Sequence, residues 1–287
     1  MTAPARPAWP ALQAARRQTQ ARLPLRVGTQ QVGSVARADL PALQRWPQWF
    51  ALGPQGVELL AAPADRDAAL AEVNAGLRDA GLIRAWRNET YAIVAAPGEP
   101  PLALIERAAA RFWGTLTFGA HCNGYVADAR GRPTHLWIAR RAWHKPTDPG
   151  LLDNLVGGGV PHGQSPFEAL VREGFEEAGL DAATMRHATP GSVIALACDI
   201  AEGFMHEHLH AFDLRLPEHV TPANQDGEVA ELHRLPVAEA IGRAAAGEMT
   251  VDAALVTLDF ALRQRLLADA EAAPLARALA PLLHVPR

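Results

Sequence analysis

The sequence predicts an α+β protein of two domains, in which a small α/β domain precedes a larger domain organised around one amphipathic helix. The chain has 287 residues, 49% of them hydrophobic, which exceeds one typical domain and is enough for two cores. The segment Pro97-Gly98-Glu99-Pro100-Pro101 interrupts the chain, and an Ala-rich run leads from it to Gly114. We therefore predict a loose or short helical arm (1–20), a small α/β domain (21–114), the main domain (115–270) and a C-terminal helix or tail (271–287).

The first domain is predicted to mix strands and helices, with no internal repeat. The expected strands lie at 24–27, 31–36, 57–60 and 90–95, and the expected helices at 39–45, 65–80 and 101–113. No motif in these residues indicates a function. A role in covering the substrate, in forming a homodimer, or in both, is left open for this domain.

The second domain is predicted to begin with a hairpin. Strands are expected at 118–127 and 134–141, because the segment from Asp128 to Pro133 between them has turn chemistry. Paired strands at 191–200 and 204–214 and a short strand after Asp226 follow. Helices at 236–245 and 251–268 then complete the domain, and a last helix is expected from 272 to His284.

The best-defined element is a helix that starts after Ser165. Ser165 is a suitable N-cap, Pro166 suits the first helical position, and Glu168 completes a capping box. Gly179 is a natural left-handed terminator. Apolar or small residues at helical spacing form the face expected to be buried: Phe167, Leu170, Val171, Gly174 and Ala178.

Three carboxylates share the opposite face of this helix. Glu173, Glu176 and Glu177 are spaced i, i+3 and i+4, so they lie side by side and repel one another. A hard divalent cation offsets that repulsion, and carboxylate oxygens are the ligands that Mg²⁺ prefers. An ordinary solvated helix face is the alternative for an isolated glutamate run. The glycine-rich loop and the caps around this run favour a metal site.

The segment resembles the Nudix box. Seven residues match its pattern, and they are Gly158, Arg172, Glu173, Glu176, Glu177, Gly179 and Leu180. Two positions depart from it: Gln164 stands where the box has its first glutamate, and Gly174 stands where it has an aliphatic residue. The resemblance implies a Nudix α/β/α sandwich with a mixed sheet in the second domain, and hydrolysis of a diphosphate linkage.

The resemblance also implies roles for single residues. Glu176 and Glu177 would bind Mg²⁺, or Mn²⁺ in its place, with Glu173 as the third ligand or as the group that orients water. Arg172 would hold Glu173, and the backbone carbonyl of Gly158 would add a ligand. In this family the attacking water is usually activated by a glutamate, either from the box helix, such as Glu173, or from a later loop, which makes Glu228 and Glu231 candidates for general base or extra metal ligand. Two exposed, inert acids are the alternative for Glu228 and Glu231.

Substrate contacts are expected from basic and polar residues near the box. Lys145 and the pair Arg140-Arg141 are candidates for phosphate contacts, although a solvated charge at the strand end is slightly favoured for Arg141. Gln164 is a further candidate for substrate binding, because its side chain keeps a hydrogen-bonding group. Trp86, Trp113, Trp137 and Trp143 are candidates for an aromatic wall or, as is commoner, for the core.

The segments around the box resemble one Nudix subgroup. They are His121-x-Asn-Gly-Tyr, Trp137-x-Ala-Arg-Arg and the Pro149-Gly-x-Leu-Asp-Asn approach. The subgroup is related to the Nudix partner of fungal thiamin pyrophosphokinase, and it implies hydrolysis of thiamin diphosphate or its oxidised (oxo and oxy) derivatives to the monophosphate. There are two alternatives. One is hydrolysis of nucleoside diphosphate derivatives such as ADP-ribose. The other is a non-catalytic Nudix ligand-binding module, which Gln164 in place of the first box glutamate would indicate.

One strand carries three alternating histidines, His206, His208 and His210, which share a face. A polar sheet face is the commoner explanation, and a transition-metal site is the alternative. Glu207 points to the opposite face and is in position to reach the cleft.

Composition excludes several classes of protein. The net charge of −4 and the lack of a basic patch argue against nucleic acid as a partner. Cys122 and Cys198 are too few for a disulfide framework and read as reduced thiols. No apolar run approaches membrane-spanning length, so a cytoplasmic protein that acts on a small-molecule diphosphate is expected.

Overall fold

The computed structural model describes residues 9–284. The first eight residues of the predicted arm and the last three of the predicted tail lie outside this range. The elements of the first part of the chain are α1 Pro10–Ala14, β1 Arg22–Val27, β2 Gln30–Ala36, α2 Leu40–Leu43, β3 Phe50–Gly53, β4 Gly56–Leu59, α3 Arg66–Asp79, β5 Thr90–Ile93, β6 Ala103–Glu106 and α4 Ala109–Trp113.

A four-stranded sheet with the order β2-β1-β4-β3 forms one layer of the N-terminal domain. Strands β1 and β4 pair in parallel, and the other neighbours pair antiparallel. Helix α3 presents Leu70, Val73 and Leu77 to the core because these residues repeat at helical spacing. Trp113 at the end of α4 is fully buried in the same core and stacks on Phe50.

Two elements of this domain differ from the sequence prediction. The predicted helix 101–113 is wrong at its start, because residues 103–106 form β6 and only Ala109–Trp113 is helical. In β6, Ala103 and Ile105 are buried while the residues between them are not, which is the two-residue period of a strand paired with β5. Strand β3 was not predicted at all, although Gly53 and Gly56 bound its turn to β4.

The second part of the chain contains β7 Leu116–Ala127, β8 Pro133–Arg141, β9 Leu152–Asp153, β10 Val156–Gly159, α5 Pro166–Ala178, α6 Ala182–Met185, β11 Thr189–Ile200, β12 Gly203–Arg215, β13 Val229–Pro236, α7 Val237–Ala246, α8 Val251–Arg263, α9 Asp269–Leu279 and β14 Leu283–His284. These strands form a mixed sheet with the order β13-β8-β7-β12-β11-β14, to which β10 adds at β7 and β9 adds at β8. The predicted α+β class and mixed sheet are confirmed.

Helices cover both faces of this sheet. On one face, α5 and α6 pack through a core that includes Leu170, Met185 and Leu214. On the other face, α7, α8 and α9 pack through a second core that includes Leu255, Leu258 and Phe260. The result is the expected α/β/α sandwich. Within residues 9–284, no helix is long and apolar enough to span a membrane.

Both ends of the described chain pack on the sandwich. The last helix ends at Leu279 and not at His284, because Leu283–His284 turns into a strand that pairs with β11. The part of the arm that is described is packed, not loose: Trp9 is 3% exposed, and its amide donates to the carbonyl of Ala245 at 3.1 Å. Burial of a large indole explains why this segment stays on the domain.

Gly174 has a structural explanation. It lies on the buried face of α5, where a Cβ atom would lie 2.6 Å from both Sδ and Cε of Met185. Met185, on α6, is fully buried and occupies the volume that an aliphatic residue at position 174 would fill. The departure from the box pattern is therefore a local exchange of packing between two helices.

We expect Gly174→Ile to destabilise the protein by about 1–3 kcal/mol through overpacking, and Met185→Ala by about 2–5 kcal/mol through a cavity. In the double variant the isoleucine fills the space of the methionine, so its loss should be smaller than the sum by at least about 1 kcal/mol. Urea unfolding of the four proteins measures this. Losses that add within experimental error would show that the two positions do not share a volume.

Candidate active site

Helix α5 is fixed at both ends by its own residues. The Ser165 hydroxyl accepts from the Glu168 amide at 3.2 Å, and the Glu168 carboxylate accepts from the Ser165 amide at 2.8 Å. Gly179 ends the helix in the left-handed region with φ of 63°. The predicted cap and terminator are confirmed, so the glutamates between them have a rigid support.

Arg172 holds two of the three glutamates. Its Nη2 donates to Oε1 of Glu173 at 2.7 Å, and its Nη1 donates to Oε2 of Glu176 at 2.8 Å. The Glu173 side chain is 12% exposed whereas that of Glu176 is 38% exposed. Charge-assisted bonds of this kind fix geometry as well as charge. Arg172 thus orients Glu173 towards the interior and keeps Glu176 at the rim.

Glu177 is buried beneath the glycine loop. Its Oε2 accepts a hydrogen bond from the amide of Gly157 at 2.8 Å. Burial, and then the neighbouring charge of Glu173, raises the pKa of Glu177 well above its ordinary value. Burial also raises the pKa of Glu173, although Arg172 opposes the change. Two carboxyls are therefore buried side by side, and of the two only Glu173 has a cationic side chain from residues 9–284 bonded to it.

The backbone at Gly158 and Gly159 passes too close to its neighbours for any side chain. A Cβ atom on Gly158 would lie 2.6 Å from Cγ of Glu173. A Cβ atom on Gly159 would overlap the hydroxyl of Tyr91 and lie 3.1 Å from Cζ of Arg107. Tyr91 and Arg107 belong to the N-terminal domain. The glycines therefore bring the box helix on one side and the first domain on the other against one strand.

A cavity of about 590 Å³ lies between the two domains, within the range of small-molecule sites. Six cationic side chains line it, namely Arg84, Arg87, Arg107, Arg111, Arg141 and Lys145. Eight acidic side chains also line it, namely Asp148, Asp153, Glu173, Asp199, Glu202, Glu207, Glu228 and Asp252. The glycine strand 157–159 forms part of the same wall.

Two family descriptions match the chain. Residues 120–256 match the NUDIX domain, and residues 9–117 match a domain of unknown function, DUF4743. The chain carries a Nudix domain. Its N-terminal domain is the one that matches DUF4743.

Curated relatives support this assignment. Nudix hydrolase 20, chloroplastic, of Arabidopsis thaliana is 42% identical over 182 residues, which is 63% of this chain and 48% of that protein. Nudix hydrolase 24, chloroplastic, of the same plant is 37% identical over 210 residues, covering 73% and 57%. The chain thus spans about half the length of these relatives. The word chloroplastic belongs to their names, and the location of this chain stays a prediction.

A solved structure from Deinococcus radiodurans, DR0079, is also similar. It is 24% identical, covers 60% of this chain and 99% of its own, and has a TM-score of 0.45.

Lys145 and Glu228 form an ion pair at the cavity between the two domains. Lys145 Nζ pairs with Oε2 of Glu228, and Arg87 Nη1 lies 3.6 Å from Oε1 of the same carboxylate. Burial alone would raise the pKa of Glu228, but the hydrogen bond and charge of Lys145, followed by Arg87, lower it. Glu228 therefore stays ionised at neutral pH, with one oxygen held by Lys145 and the other less engaged.

A second group of acids lines the wall beside α8. Glu207 pairs with Arg111 at 2.9 Å and accepts from Thr117 at 2.7 Å, so its charge is compensated. Asp252 lacks that compensation: its Oδ1 is buried and accepts no hydrogen bond from any residue between 9 and 284. Burial, and then the charge of Glu207, raises the pKa of Asp252. This part of the cavity suits a cation or a hydrogen-bond donor.

Four of the nine expected site residues line the cavity. Gly158, Glu173, Lys145 and Glu228 line it, and Glu207 reaches it as expected. Glu177, Glu176 and Arg172 lie behind or beside Glu173. Gln164 instead lines a smaller pocket of about 190 Å³ near Tyr91. Its expected contact with the substrate stays a prediction.

The two arginines at the end of β8 have different surroundings. Arg140 points away from the cavity, donating to Gly150 O at 2.9 Å and to Glu231 at 3.3 Å. Arg141 lines the cavity and pairs with Asp153 at 2.9 Å. Side chains on a strand alternate between faces, so only one of the pair can face the substrate. Glu231, held by Arg140, is likewise outside the cavity lining.

Several cavity residues carry no sequence signal. Arg87, Arg107 and Arg111 come from the N-terminal domain, and Asp252 comes from the first turn of α8. No tryptophan lines the cavity among residues 9–284. Trp113 and Trp137 are core residues, and Trp143 is 71% exposed. The commoner expectation, a place in the core, therefore holds for Trp113 and Trp137, and charged groups line the cavity.

The donor set suits a hard divalent cation. Glu173 and Glu177 bring carboxylate oxygens to the backbone of Gly157 and Gly158, and oxygens are what Mg²⁺ binds. Within residues 9–284, no three acidic, histidine or cysteine side chains lie in an arrangement that could hold a metal ion. Glu176 is turned towards Arg172, to which it is hydrogen-bonded.

The three histidines of β12 form a sheet face away from this site. His208 packs against His284 with ring centroids 4.3 Å apart. Burial, and then the nearby histidines, lowers the pKa of His208 to about 4. No metal-binding group includes these histidines in the described part of the chain, which agrees with a polar sheet face.

The buried His208 predicts a loss of stability in acid. Since its pKa is about 4 when folded and about 6.5 when unfolded, the unfolded chain binds the extra proton between these values. Stability is then fully present above about pH 6.5 and falls by up to about 3 kcal/mol towards pH 4. His208→Gln should flatten this part of the curve of unfolding free energy against pH. The exposed His144→Gln should leave the curve unchanged, and equal slopes for both variants would contradict the assignment.

Proposed function

We propose that this protein is a Mg²⁺-dependent hydrolase that cleaves the diphosphate linkage of a small molecule, with thiamin diphosphate or its oxidised derivatives as substrate and the monophosphate as product. The observation that carries the proposal is the pair of adjacent, largely buried carboxylates, Glu173 and Glu177, against the glycine strand beside a cavity lined by six cations, in the part of the chain that matches the NUDIX domain. The names of the two plant relatives support a hydrolase.

Glu173, Glu177 and, once released from Arg172, Glu176 would hold the cation together with the carbonyl of Gly158. When bound, Mg²⁺ neutralises phosphate charge and lowers the pKa of coordinated water. Mn²⁺ satisfies the same oxygen donors. Arg172 fixes the direction of Glu173 throughout, since its bond to Glu173 does not depend on the cation.

Glu228 is one of seven carboxylates outside the box that line the cavity, and it is the one that lies beside Lys145. We assign to it the role of general base, with Oε1 as the accepting atom because Lys145 holds Oε2. The water oxygen forms a bond to phosphorus while its proton passes to Oε1. The bond from phosphorus to the bridging oxygen breaks, and the leaving phosphate keeps the electron pair. Lys145 and the cavity arginines compensate the developing charge.

The charges of the cavity support a cationic organic group. The thiazolium ring of thiamin diphosphate carries a permanent positive charge, which suits the uncompensated Asp252. ADP-ribose has no such cation in its organic part. The subgroup resemblance of residues 121–154 points to the same substrate. The absence of tryptophan from the cavity lining in residues 9–284 leaves charge as the main basis of recognition.

Glu177→Gln should abolish turnover, by about a hundred-fold or more, because it removes one charge from the cation site. Phosphate or monophosphate release with Mg²⁺ is measured on thiamin diphosphate, its oxo and oxy derivatives, ADP-ribose and NADH. The exposed Glu218→Gln serves as the matched control.

The outcomes separate the alternatives. Turnover of the thiamin compounds that is lost in the variant supports the proposal. Turnover of ADP-ribose or NADH alone keeps the chemistry and rejects the substrate. Ligand binding without any turnover by the native chain indicates a binding module.

Asp252→Asn should raise KM for thiamin diphosphate about ten-fold, because the attraction between the carboxylate and the positive charge of the thiazolium ring is lost, while KM for ADP-ribose stays the same. The exposed Asp269→Asn is the control for charge alone. Steady-state kinetics on both substrates measures the difference. An equal rise in KM for both substrates would argue that Asp252 supports the fold of the site and does not read the ring.

A further inference from the structure

The wall that the N-terminal domain contributes to the cavity has an unusual composition. It consists of Arg84, Ala85, Arg87, Arg107, Ala108 and Arg111, so four of its six residues are arginines and none is acidic. All eight carboxylates that line the cavity come from the second domain, between Asp148 and Asp252. We propose that the N-terminal domain is the anion-binding half of the active site, and that Arg87 and Arg107 bind the diphosphate of the substrate. The proposal rests on the proposed function.

The loop that carries Arg87 is built to a fixed shape. Ala85 and Asn88 both have positive φ, of 58° and 60°, and for alanine this conformation is uncommon and costs free energy. The amide of Arg87 donates to Glu106 at 2.8 Å, and the indole of Trp86 donates to Asn88 at 3.0 Å. Backbone strain that is held by such bonds occurs most often at functional sites. The loop thus aims one guanidinium at the cavity.

The side chain of Arg87 has donors to spare. Its charged contact within residues 9–284 is Glu228 Oε1 at 3.6 Å, which is beyond hydrogen-bond distance. The guanidinium carries five N–H groups, and its side chain is 22% exposed, so these groups face the cavity. Arg111 differs, because Glu207 at 2.9 Å and Thr117 at 3.4 Å engage its donors. Arg111 therefore joins the two domains, whereas Arg87 is available to an anion.

Arg107 is placed directly over the glycine strand. Its Nη1 is held by Glu89 at 3.0 and 3.2 Å, which leaves its other edge free of that carboxylate. That edge lies beside Gly159, where a Cβ atom would be 3.2 Å from Nη2. Gly158 precedes Gly159 on the same strand, and Glu173 of α5 lies against Gly158. A phosphate that a cation holds next to the box carboxylates would therefore also contact Arg107. The planar guanidinium of an arginine suits a phosphate.

The test uses the full chain and inorganic pyrophosphate as a probe, so that binding is measured without turnover. Isothermal titration calorimetry with Mg²⁺ gives Kd for the native protein, for Arg87→Gln and for Arg107→Gln. Each variant should weaken pyrophosphate binding about ten- to a hundred-fold, as expected for the loss of a charged hydrogen bond. Arg87→Lys should recover part of the affinity because it keeps the charge. Arg26→Gln, on the exposed side of β1, should bind as the native protein does.

Kinetics then separates binding from a merely structural role. If turnover is found, Arg87→Gln should raise KM with a smaller change in kcat. Unchanged pyrophosphate affinity in both variants would overturn the proposal, and a fall in kcat alone would assign Arg87 to the positioning of Glu228. Should Arg107→Gln fail to fold, Arg87→Gln still decides, since its side chain makes one distant contact. Arginine-dependent pyrophosphate binding without any hydrolysis would support this inference and reject the proposed enzyme.

Discussion

The close approach of neighbours to the strand Gly157–Gly159 is the constraint on which the site depends. Glu177 reaches the amide of Gly157, Glu173 lies against Gly158, and Tyr91 and Arg107 lie against Gly159. A side chain at either of the last two positions would displace the box helix or the N-terminal domain. Because one strand carries all these contacts, the carboxylates and the arginine wall are set at a fixed separation, with the cavity between them.

The site concentrates charge that the fold alone does not balance. Glu173 and Glu177 are buried with raised pKa values, and Asp252 is buried without a hydrogen-bond partner at Oδ1 in the described chain. Facing them, the guanidinium of Arg87 has Glu228 at 3.6 Å as its charged contact among residues 9–284. A protein selected for stability alone would pair these groups or replace them with apolar ones. Their persistence in one cavity is what a site for a cation and an anionic, partly cationic substrate requires.

The sequence was most informative where the determinants are local. The cap and the terminator of α5 lie within residues 165–179 and were confirmed. Of the predicted buried stripe, Leu170, Gly174 and Ala178 are buried, and Phe167 and Val171 are partly buried. Gly174 could not be interpreted, because Met185 on another helix fills its space. Which of Arg140 and Arg141 faces the cavity could not be predicted. Successive side chains on a strand point to opposite faces, and the sequence alone does not show which face is which. Arg87 and Arg107 could not be found at all, because only tertiary packing brings the N-terminal domain to the box.

The pairing of the two domains follows from what a box helix can recognise. Its carboxylates act through a cation on phosphate oxygens, and these are the same in every diphosphate. Discrimination must therefore come from groups that contact the rest of the substrate or set its position. In this chain those groups are Asp252 on the Nudix side and the arginines of a domain whose family description states no function. A second domain that supplies part of the binding energy allows the organic group to be selected while the hydrolytic residues stay unchanged.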